Sequence, residues 1–206
     1  MLGTFTRNYF GFGGTTVSMF WEARPSDANA SYVFAGDMNG DGGSGNDLIY
    51  IPRDTSEMRF QTFTAGGRTF TAADQAAAFE AYIRQDPYLR KNRGRYAERG
   101  AVFLPLVKRA DLSLIQDVFR NIRGKRNAFQ VRLDFDNFTN LLNSNWGVGR
   151  RLIRNQILTN TAVDAQGQAT YRMVVVSNEL LTRSFETTAS QSDVYRFMIS
   201  LRYSFN

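Results

Sequence analysis

The amino-acid sequence predicts an all-β chain of antiparallel strands, and three observations lead to this fold class. Several segments alternate between apolar and polar residues, which is the side-chain period of a strand. No stretch approaches the ~20 apolar residues that a membrane-spanning helix needs. Two connections between the alternating segments are much longer than the ~12–15 residues usual in compact soluble domains.

The closing segment, 195–206, alternates most clearly. Apolar residues hold one parity and mostly polar residues the other: Tyr195, Phe197, Ile199, Leu201, Tyr203 and Phe205 against Arg196, Met198, Ser200, Arg202 and Ser204. Because successive side chains of a strand point to opposite faces, this segment predicts a ribbon with one apolar face. Such a face packs on a core in a soluble protein, or on lipid in a membrane barrel whose polar face lines a wet lumen.

Other segments share this period. Residues 128–138 alternate sharply, residues 109–119 alternate with faults at Ile115 and Gln116, and residues 14–23 alternate until Phe20. The segment "TFTRNYF" before them is a further candidate strand. Each run has about the 9–11 residues that a tilted strand needs to cross a bilayer.

The connections alternate in length. "GFGG" (11–14) and "RNIRGKRN" (120–127) are short, whereas 24–108 and 139–193 are long. Short turns on one side and long loops on the other are typical of outer-membrane barrels. The sequence therefore predicts an antiparallel transmembrane β-barrel segment of about five to six strands with long extracellular loops.

The long loops contain two elements of their own. Residues 71–85 predict a short helix with Thr71 as N-cap and with Phe79, Tyr82 and Ile83 on one face, stopped by Pro87. The segments "LIRNQILTN" and "ATYRMVVV", joined around "DAQGQ", predict a hairpin above the membrane.

Composition excludes several kinds of chemistry. The chain has no cysteine and no histidine, so it has no disulfides, no thiol nucleophile, no Ser-His-Asp triad and no Cys/His zinc site. Its net charge is +6, but the arginines are scattered through every segment, so we expect no nucleic-acid partner. The carboxylate pairs Glu80/Asp86 and Asp134/Asp136 have no converging partners, and we expect no enzyme activity.

The densest polar cluster spans 36–52. Asp37, Asn39, Asp41 and Gly42 match the opening of a calcium loop, D-x-[DN]-x-[DN]-G. The twelfth position, normally a bidentate Glu, is Leu48, and Asp47 stands one place early. The cluster is therefore either a calcium site formed by Asp37, Asn39, Asp41 and Asp47, or a turn whose side chains bond their own backbone.

Five segments in order carry a resemblance to a known family. They are "SYVFAGDMNGDGGSGNDLIYIP", "FEAYIRQDPYLRKNRGRYAERG", "DLSLIQDVF", "FDNFTNLLNSNWG" and the terminal "YRFMISLRYSF". Together they resemble the C-terminal part of the barrel of TonB-dependent outer-membrane receptors. The nearest kind is the Oar-like and SusC-like type with a carboxypeptidase-like regulatory domain. The resemblance runs from about Ser31 to Phe205.

The resemblance implies a 22-stranded barrel with a plug in its lumen, in the outer membrane of a Gram-negative bacterium. Such receptors are not enzymes; they take up a scarce nutrient, such as a glycan, peptide or chelated metal. The TonB complex acts on the plug and supplies energy from the proton gradient of the inner membrane. Further partners are membrane lipid, the barrel-assembly machinery and, in SusC-like systems, a surface lipoprotein. Because the plug and most strands are missing, we expect residues 1–206 to be a C-terminal fragment.

The outer loops would carry ligand contacts. The candidates are Tyr88, Arg93 and Tyr96 from "PYLRKNRGRY" and Trp146 from "NSNWG", with loop packing as the alternative role. Two other functions remain open. One is a small outer-membrane porin or adhesin, although too few strands are present to close a ring of eight. The other is a secreted, calcium-dependent β-sandwich binding module.

Overall fold

The computed structural model describes residues 1–9, 11, 13–26, 28–121 and 127–205, without the side chains of Asn160 and Thr161. Within these ranges the chain is mostly β, with predominantly antiparallel sheets, which confirms the all-β class. No helix in the described ranges is long and apolar enough to cross a membrane. Most of the predicted short connection 120–127, and part of "GFGG", lie outside the described residues.

Sixteen strands and three helices can be assigned in the described part of the chain. The strands are β1 (Leu2–Tyr9), β2 (Gly13–Pro25), β3 (Val33–Phe34), β4 (Tyr50–Ile51), β5 (Phe63–Ala65), β6 (Arg68–Phe70), β7 (Arg95–Tyr96), β8 (Leu106–Arg120), β9 (Ala128–Asp136), β10 (Arg150–Leu152), β11 (Gln156–Val163), β12 (Ala169–Met173), β13 (Val175–Val176), β14 (Glu179–Leu180), β15 (Phe185–Thr187) and β16 (Arg196–Ser204). The helices are α1 (Ala72–Gln85), α2 (Pro87–Lys91) and α3 (Phe138–Leu142), with 3₁₀ turns at Thr55–Glu57 and Gln191–Asp193.

The chain divides into two compact units. The first, here called the sheet unit, comprises Met1–Ser26, Pro105–Arg150 and Thr187–Asn206. The second, the loop unit, comprises Asp27–Leu104 and Arg151–Glu186. The predicted long loops therefore supply the whole of a unit with its own core, because they contain enough apolar residues to bury.

The sheet unit is a five-stranded antiparallel sheet in the order β1-β2-β8-β9-β16. The strands predicted at 14–23, 109–119, 128–138 and 195–206, and the candidate strand before them, are confirmed, with ends that differ by a few residues. Residues opposite each other in register share a face. Phe197 lies opposite Phe135, and Leu112 lies opposite both Phe135 and Met19. One face is therefore apolar across four strands.

A β-bulge interrupts strand β8 after the two faults at Ile115 and Gln116, which themselves lie in the regular register. The β8–β9 register shifts between Asp117 and Phe119, so that Phe119, not Val118, lies opposite Phe129. The ring centroids of Phe119 and Phe129 are 6.0 Å apart. A bulge inserts one unpaired residue and so moves the following side chains to the other face.

The opposite face of the sheet is polar. Hydroxyl pairs connect β1 with β2: Thr4 with Ser18 at 3.2 Å and Thr6 with Thr16 at 3.1 Å. At the other edge, Arg196 Nη2 lies 3.0 Å from Asp136 Oδ2. The sheet is thus amphipathic through most of its width.

The loop unit packs around helix α1. Phe79, Tyr82 and Ile83 are fully buried on one face, as predicted. Thr71 Oγ1 accepts a hydrogen bond from the Asp74 amide at 3.1 Å, and the Asp74 carboxylate accepts one from the Thr71 amide at 2.9 Å. This capping box confirms Thr71 as the N-cap. The helix ends at Gln85, and Pro87 opens the second helix, α2, where the absence of an amide hydrogen costs nothing.

The predicted hairpin is confirmed as the antiparallel pair β11 and β12, joined by a turn around Asp164. Strand β3 pairs with β11 in parallel. Ile157 and Leu158 of β11 are fully buried in the same apolar cluster as Tyr82. The hairpin is therefore part of the core of the loop unit.

Candidate functional site

The apolar face of the sheet unit is open to solvent. Ile199 is 63% exposed and Leu201 68% exposed on β16, and Phe5 is 66% exposed on β1. The other described strands of this unit belong to the same sheet or to a short pair at its boundary, so none of them forms a second layer. A contiguous apolar surface of this kind normally marks a contact with a membrane or a partner.

A polar network closes one end of the sheet. Asp193 is 5% exposed, and its carboxylate accepts hydrogen bonds from the amides of Gly149 and Ser190 and from the hydroxyl of Thr188, at 2.7–2.8 Å. Arg109 Nη2 adds an ion pair at 3.2 Å. Burial alone would raise the pKa of Asp193, but the hydrogen bonds to its charged form outweigh it and hold the pKa well below its usual range.

Asn137 links the end of β9 to the same network. It adopts a left-handed backbone with φ 52°, and its amide donates to Asp111 Oδ1 at 2.7 Å. Its side-chain Nδ2 donates to the carbonyls of Gly147 and Ser192 at 3.1 and 3.2 Å. The motif "FDNFTNLLNSNWG" thus has a local structural role at the end of the sheet.

An aromatic groove of about 500 Å³ lies on the loop unit. Its lining contains Phe34, Met38, Asn39, Asp47, Leu48 and Tyr96. Tyr96 is 69% exposed, and its ring meets that of Tyr50 edge-on at 5.5 Å because β7 pairs with β4. An exposed aromatic ring beside a carboxylate and an amide can stack on a ligand while hydrogen-bonding its polar groups.

The polar cluster 36–52 forms a tight turn. Asp37 accepts from the amides of Gly40 and Gly42 at 2.7 and 2.9 Å, and Asp41 accepts from the amide of Gly43 at 2.7 Å. Asp47 Oδ2 accepts from the Met38 amide at 2.6 Å. The amide of Gly43 and the side chain of Asn39 lower the pKa of Asp41.

These bonds bear on the predicted calcium site. They use at least one side-chain oxygen of each of the three carboxylates, as expected for Asx turns. Within the described ranges, no group of three or more acidic, Cys or His residues could hold a metal ion. The geometry thus favours the turn, and calcium binding by Asp37, Asn39, Asp41 and Asp47 stays a prediction.

Two of the predicted ligand contacts have structural partners. Arg93 forms a two-pronged ion pair with Glu80, with nitrogen–oxygen distances of 2.7 and 3.1 Å, and donates to the Arg53 carbonyl at 3.1 Å. Burial would raise the pKa of Glu80, but its bonds to Arg93 and Arg84 outweigh this and lower it. The hydroxyl of Tyr88 accepts from the Glu98 amide at 2.6 Å. Both side chains hold the segment 86–98 in place.

Trp146 belongs to the sheet unit and is 53% exposed. It lines a separate cavity of about 530 Å³, together with Pro105, Leu106, Val107, Lys108, Thr139, Asn145, Gly147, Val148 and Arg150. Of the predicted site residues, the structure therefore brings together only Tyr96, Asn39 and Asp47 around one concave surface.

Sequence reasoning missed several residues of these sites. The groove residues Phe34, Met38 and Leu48 meet because Val33 pairs with Leu48 and the Met38 amide donates to Asp47. No local pattern reveals these contacts. Asp193 had a usable signal, because Ser190 precedes it by three residues in the order of a capping box. Lys108 also had a usable sequence signal, because it is a cation at the same parity as the apolar residues Ala110 and Leu112.

Comparison of the chain with models of known protein families, with curated proteins and with solved structures finds no match.

Proposed function

We propose that this chain forms part of the wall and the outer loops of a TonB-dependent outer-membrane receptor that takes up a nutrient. The observation that carries the proposal is the five-stranded antiparallel sheet with one open apolar face and one polar face. This is the surface pattern of a transmembrane barrel wall, in which lipid covers the apolar face and the lumen wets the other.

Contact with lipid is energetically favoured over contact with water at this face. Burying one large apolar side chain stabilises by about 1.5–3 kcal/mol. Phe197, Ile199 and Leu201 lie in one row, each more than 60% exposed. A soluble β-sandwich would bury such a row under a second sheet. The polar rows support a barrel wall because charged pairs such as Arg196–Asp136 lie on the face opposite the apolar row.

Strand lengths and connections also support the proposal. The five strands have 8, 13, 15, 9 and 9 residues, which brackets the ~9–11 needed to cross a bilayer at a tilt. Strands β1 and β2 are separated by three residues and β8 and β9 by seven, whereas the connections at the opposite end are long. In outer-membrane barrels the long connections face outward.

The aromatic groove fits the capture step of such a receptor. Tyr96, Asn39 and Asp47 would contact the nutrient, which we take to be a glycan, a peptide or a chelated metal. Energy would reach the receptor from the TonB complex through a plug, and a surface lipoprotein would be a further partner. The chain itself would carry out no chemical reaction.

The first experiment uses the absence of cysteine. Single cysteines placed at Ile199, Ser200, Leu201 and Arg202 in the full chain, refolded into lipid vesicles, would carry an environment-sensitive fluorophore. We expect quenching by lipid-borne quenchers at 199 and 201, and by aqueous iodide at 200 and 202. Uniform quenching by iodide, or protection of 199 and 201 from both quenchers, would overturn the wall assignment.

The second experiment tests transport. The gene that encodes this chain would be disrupted in its host, and uptake of labelled glycans, peptides and iron chelates would be compared with that of the parent. We expect one class to be lost, and a protonophore to abolish uptake of that class in the parent. Unchanged uptake of all three classes would contradict the receptor function while leaving the membrane location testable by the labelling experiment.

A further inference from the structure

The cavity around Trp146 contains two cations without a carboxylate partner. Lys108 and Arg150 both line it, and neither forms an ion pair in the described part of the chain. The lining has no acidic residue; its other members are apolar, small or amide-bearing. A concave surface with unpaired cations complements an anion.

Lys108 continues a row of the apolar face. Along β8, Lys108, Ala110 and Leu112 share one parity, and Leu106 follows at the end of the row. Across the sheet, Trp21 lies opposite Ala110 and Ala23 lies opposite Lys108. The backbone of Lys108 is therefore two residues beyond the level of Trp21, a distance of about 7 Å along the strand.

This order of residues matches the layers of a membrane. The apolar row would lie in the hydrocarbon, and a tryptophan such as Trp21 favours the boundary with the headgroups. Cations just beyond that boundary lie at the depth of lipid phosphates, and each basic residue near an anionic surface favours binding by about fivefold. The long apolar stem of a lysine can remain against the face while its charge reaches the phosphate.

We infer that the cavity lined by Lys108, Arg150 and Trp146 binds the phosphate headgroup of an anionic lipid whose acyl chains lie along the apolar face. This inference rests on the proposed function, because it needs the apolar face to be in lipid. The two cations would neutralise the phosphate, and Asn145 and Thr139 are available as hydrogen-bond partners. The continuity of the cavity with the apolar row favours a lipid over a free phosphate.

The test uses Trp146 as the reporter. The chain has two tryptophans, so the Trp21→Phe variant of the full chain leaves Trp146 alone. This variant would be refolded into phosphatidylcholine vesicles that contain a small fraction of a lipid with brominated acyl chains, which quenches tryptophan at short range. The brominated lipid is either phosphatidic acid or phosphatidylcholine.

We expect brominated phosphatidic acid to be enriched roughly 25-fold at Trp146 over brominated phosphatidylcholine, because each of the two cations contributes about fivefold. Lys108→Gln and Arg150→Gln should each remove most of this enrichment. The matched control, Arg202→Gln, removes one exposed positive charge from the polar face and should leave the enrichment unchanged. All three side chains are exposed, so the variants should fold alike.

The other outcomes separate the two ideas. Equal quenching by both lipids overturns the headgroup site while the apolar face remains in lipid. No quenching by either lipid also overturns the inference, and the cysteine labelling at 199–202 then decides whether the proposed function fails with it. A change in Trp146 emission with inorganic phosphate in lipid-free detergent, without any lipid preference, shows a site for free phosphate and also overturns the inference.

Discussion

The guanidinium of Arg109 lies 3.2 Å from the carboxylate of Asp193, and the two side chains are only 13% and 6% exposed. The pair joins strand β8 to the 3₁₀ turn before β16, although 84 residues separate the two partners in sequence. Four further groups donate to the same carboxylate: the amides of Gly149 and Ser190 and the hydroxyls of Thr188 and Ser190. The Asp193 carboxylate, which accepts from several donors, therefore fixes the segment that leads into β16.

Replacing Asp193 by Asn should destabilise the sheet unit. The asparagine amide has the size of the carboxylate but no charge. Its NH₂ group would face the amides, hydroxyls and guanidinium that donate to Asp193, and two donors cannot bond each other. We expect a loss of about 1–3 kcal/mol in the free energy of unfolding, measured by urea titration. The matched control is Asp136→Asn, whose partner Arg196 is more than half exposed, with an expected loss below ~1 kcal/mol. Equal losses in both variants would contradict a special role for Asp193.

The same carboxylate should make stability depend on acid. Because the folded pKa of Asp193 lies below its unfolded value near 3.8, its contribution is complete above about pH 4. The contribution decreases as the pH falls from there toward the folded pKa. Asp193→Asn should therefore have a shallower loss of stability below pH 4 than the unmodified chain. Parallel curves for the two proteins, by urea titration at each pH, would rule this out.

Arg93 should matter for folding more than for ligand contact. Arg93→Lys keeps the charge but cannot reproduce the two-pronged bond to Glu80. We expect the loop unit to lose about 1–2 kcal/mol, seen as earlier unfolding of α1 in hydrogen exchange. Arg90→Lys, at an exposed position of α2, is the control and should have no measurable effect. Weaker nutrient uptake by Arg93→Lys at unchanged stability would restore Arg93 as a ligand contact.

Tyr96 should show the opposite behaviour. Its ring is 69% exposed, so Tyr96→Ala should change the free energy of unfolding by less than ~0.5 kcal/mol. Because Tyr96 is the exposed aromatic residue of the groove, the same substitution should still lower the affinity for the proposed nutrient by about tenfold. Tyr82→Ala, which removes a fully buried ring, should instead unfold the loop unit. Unchanged uptake by Tyr96→Ala would exclude the groove as the binding surface.

Calcium removal separates the two interpretations of the cluster 36–52. If the turn needs no metal, excess chelator should leave the melting temperature of the chain unchanged, because backbone amides already satisfy Asp37, Asp41 and Asp47. A calcium site would instead produce a decrease of several degrees that calcium, but not magnesium, reverses. Asp41→Asn should abolish that decrease if calcium is the cause.

Regular local patterns made the sheet predictable. The alternation in β9 and β16 is nearly perfect, so each strand and its apolar face follow from sequence alone. In β8 the bulge at Val118 disturbs the period, and only the register with β9 shows that Phe119 replaces Val118 on the apolar face. A bulge depends on the partner strand and has no local signature here.

The loop unit was much less predictable. Its helix has a cap, a clear apolar face and good helix formers, and all three are local. Its core depends on contacts between distant residues, such as Tyr32 with Asp86 and Ser184, which close long segments of chain. Burial and the neighbouring carboxylate raise the pKa of Tyr32, an effect that arises only once these residues meet. The same applies to the groove, which needs β4 and β7 to pair.

The division of the chain into a sheet unit and a loop unit bears on how this sequence can change over time. Inserting or deleting one residue within a strand exchanges its two faces, so length changes there are selected against. Insertions within Asp27–Leu104 or Arg151–Glu186 leave every register in the sheet untouched. Variation in the loop unit can therefore accumulate by changes in length as well as by substitution, while the strands are restricted to substitutions that keep their parity.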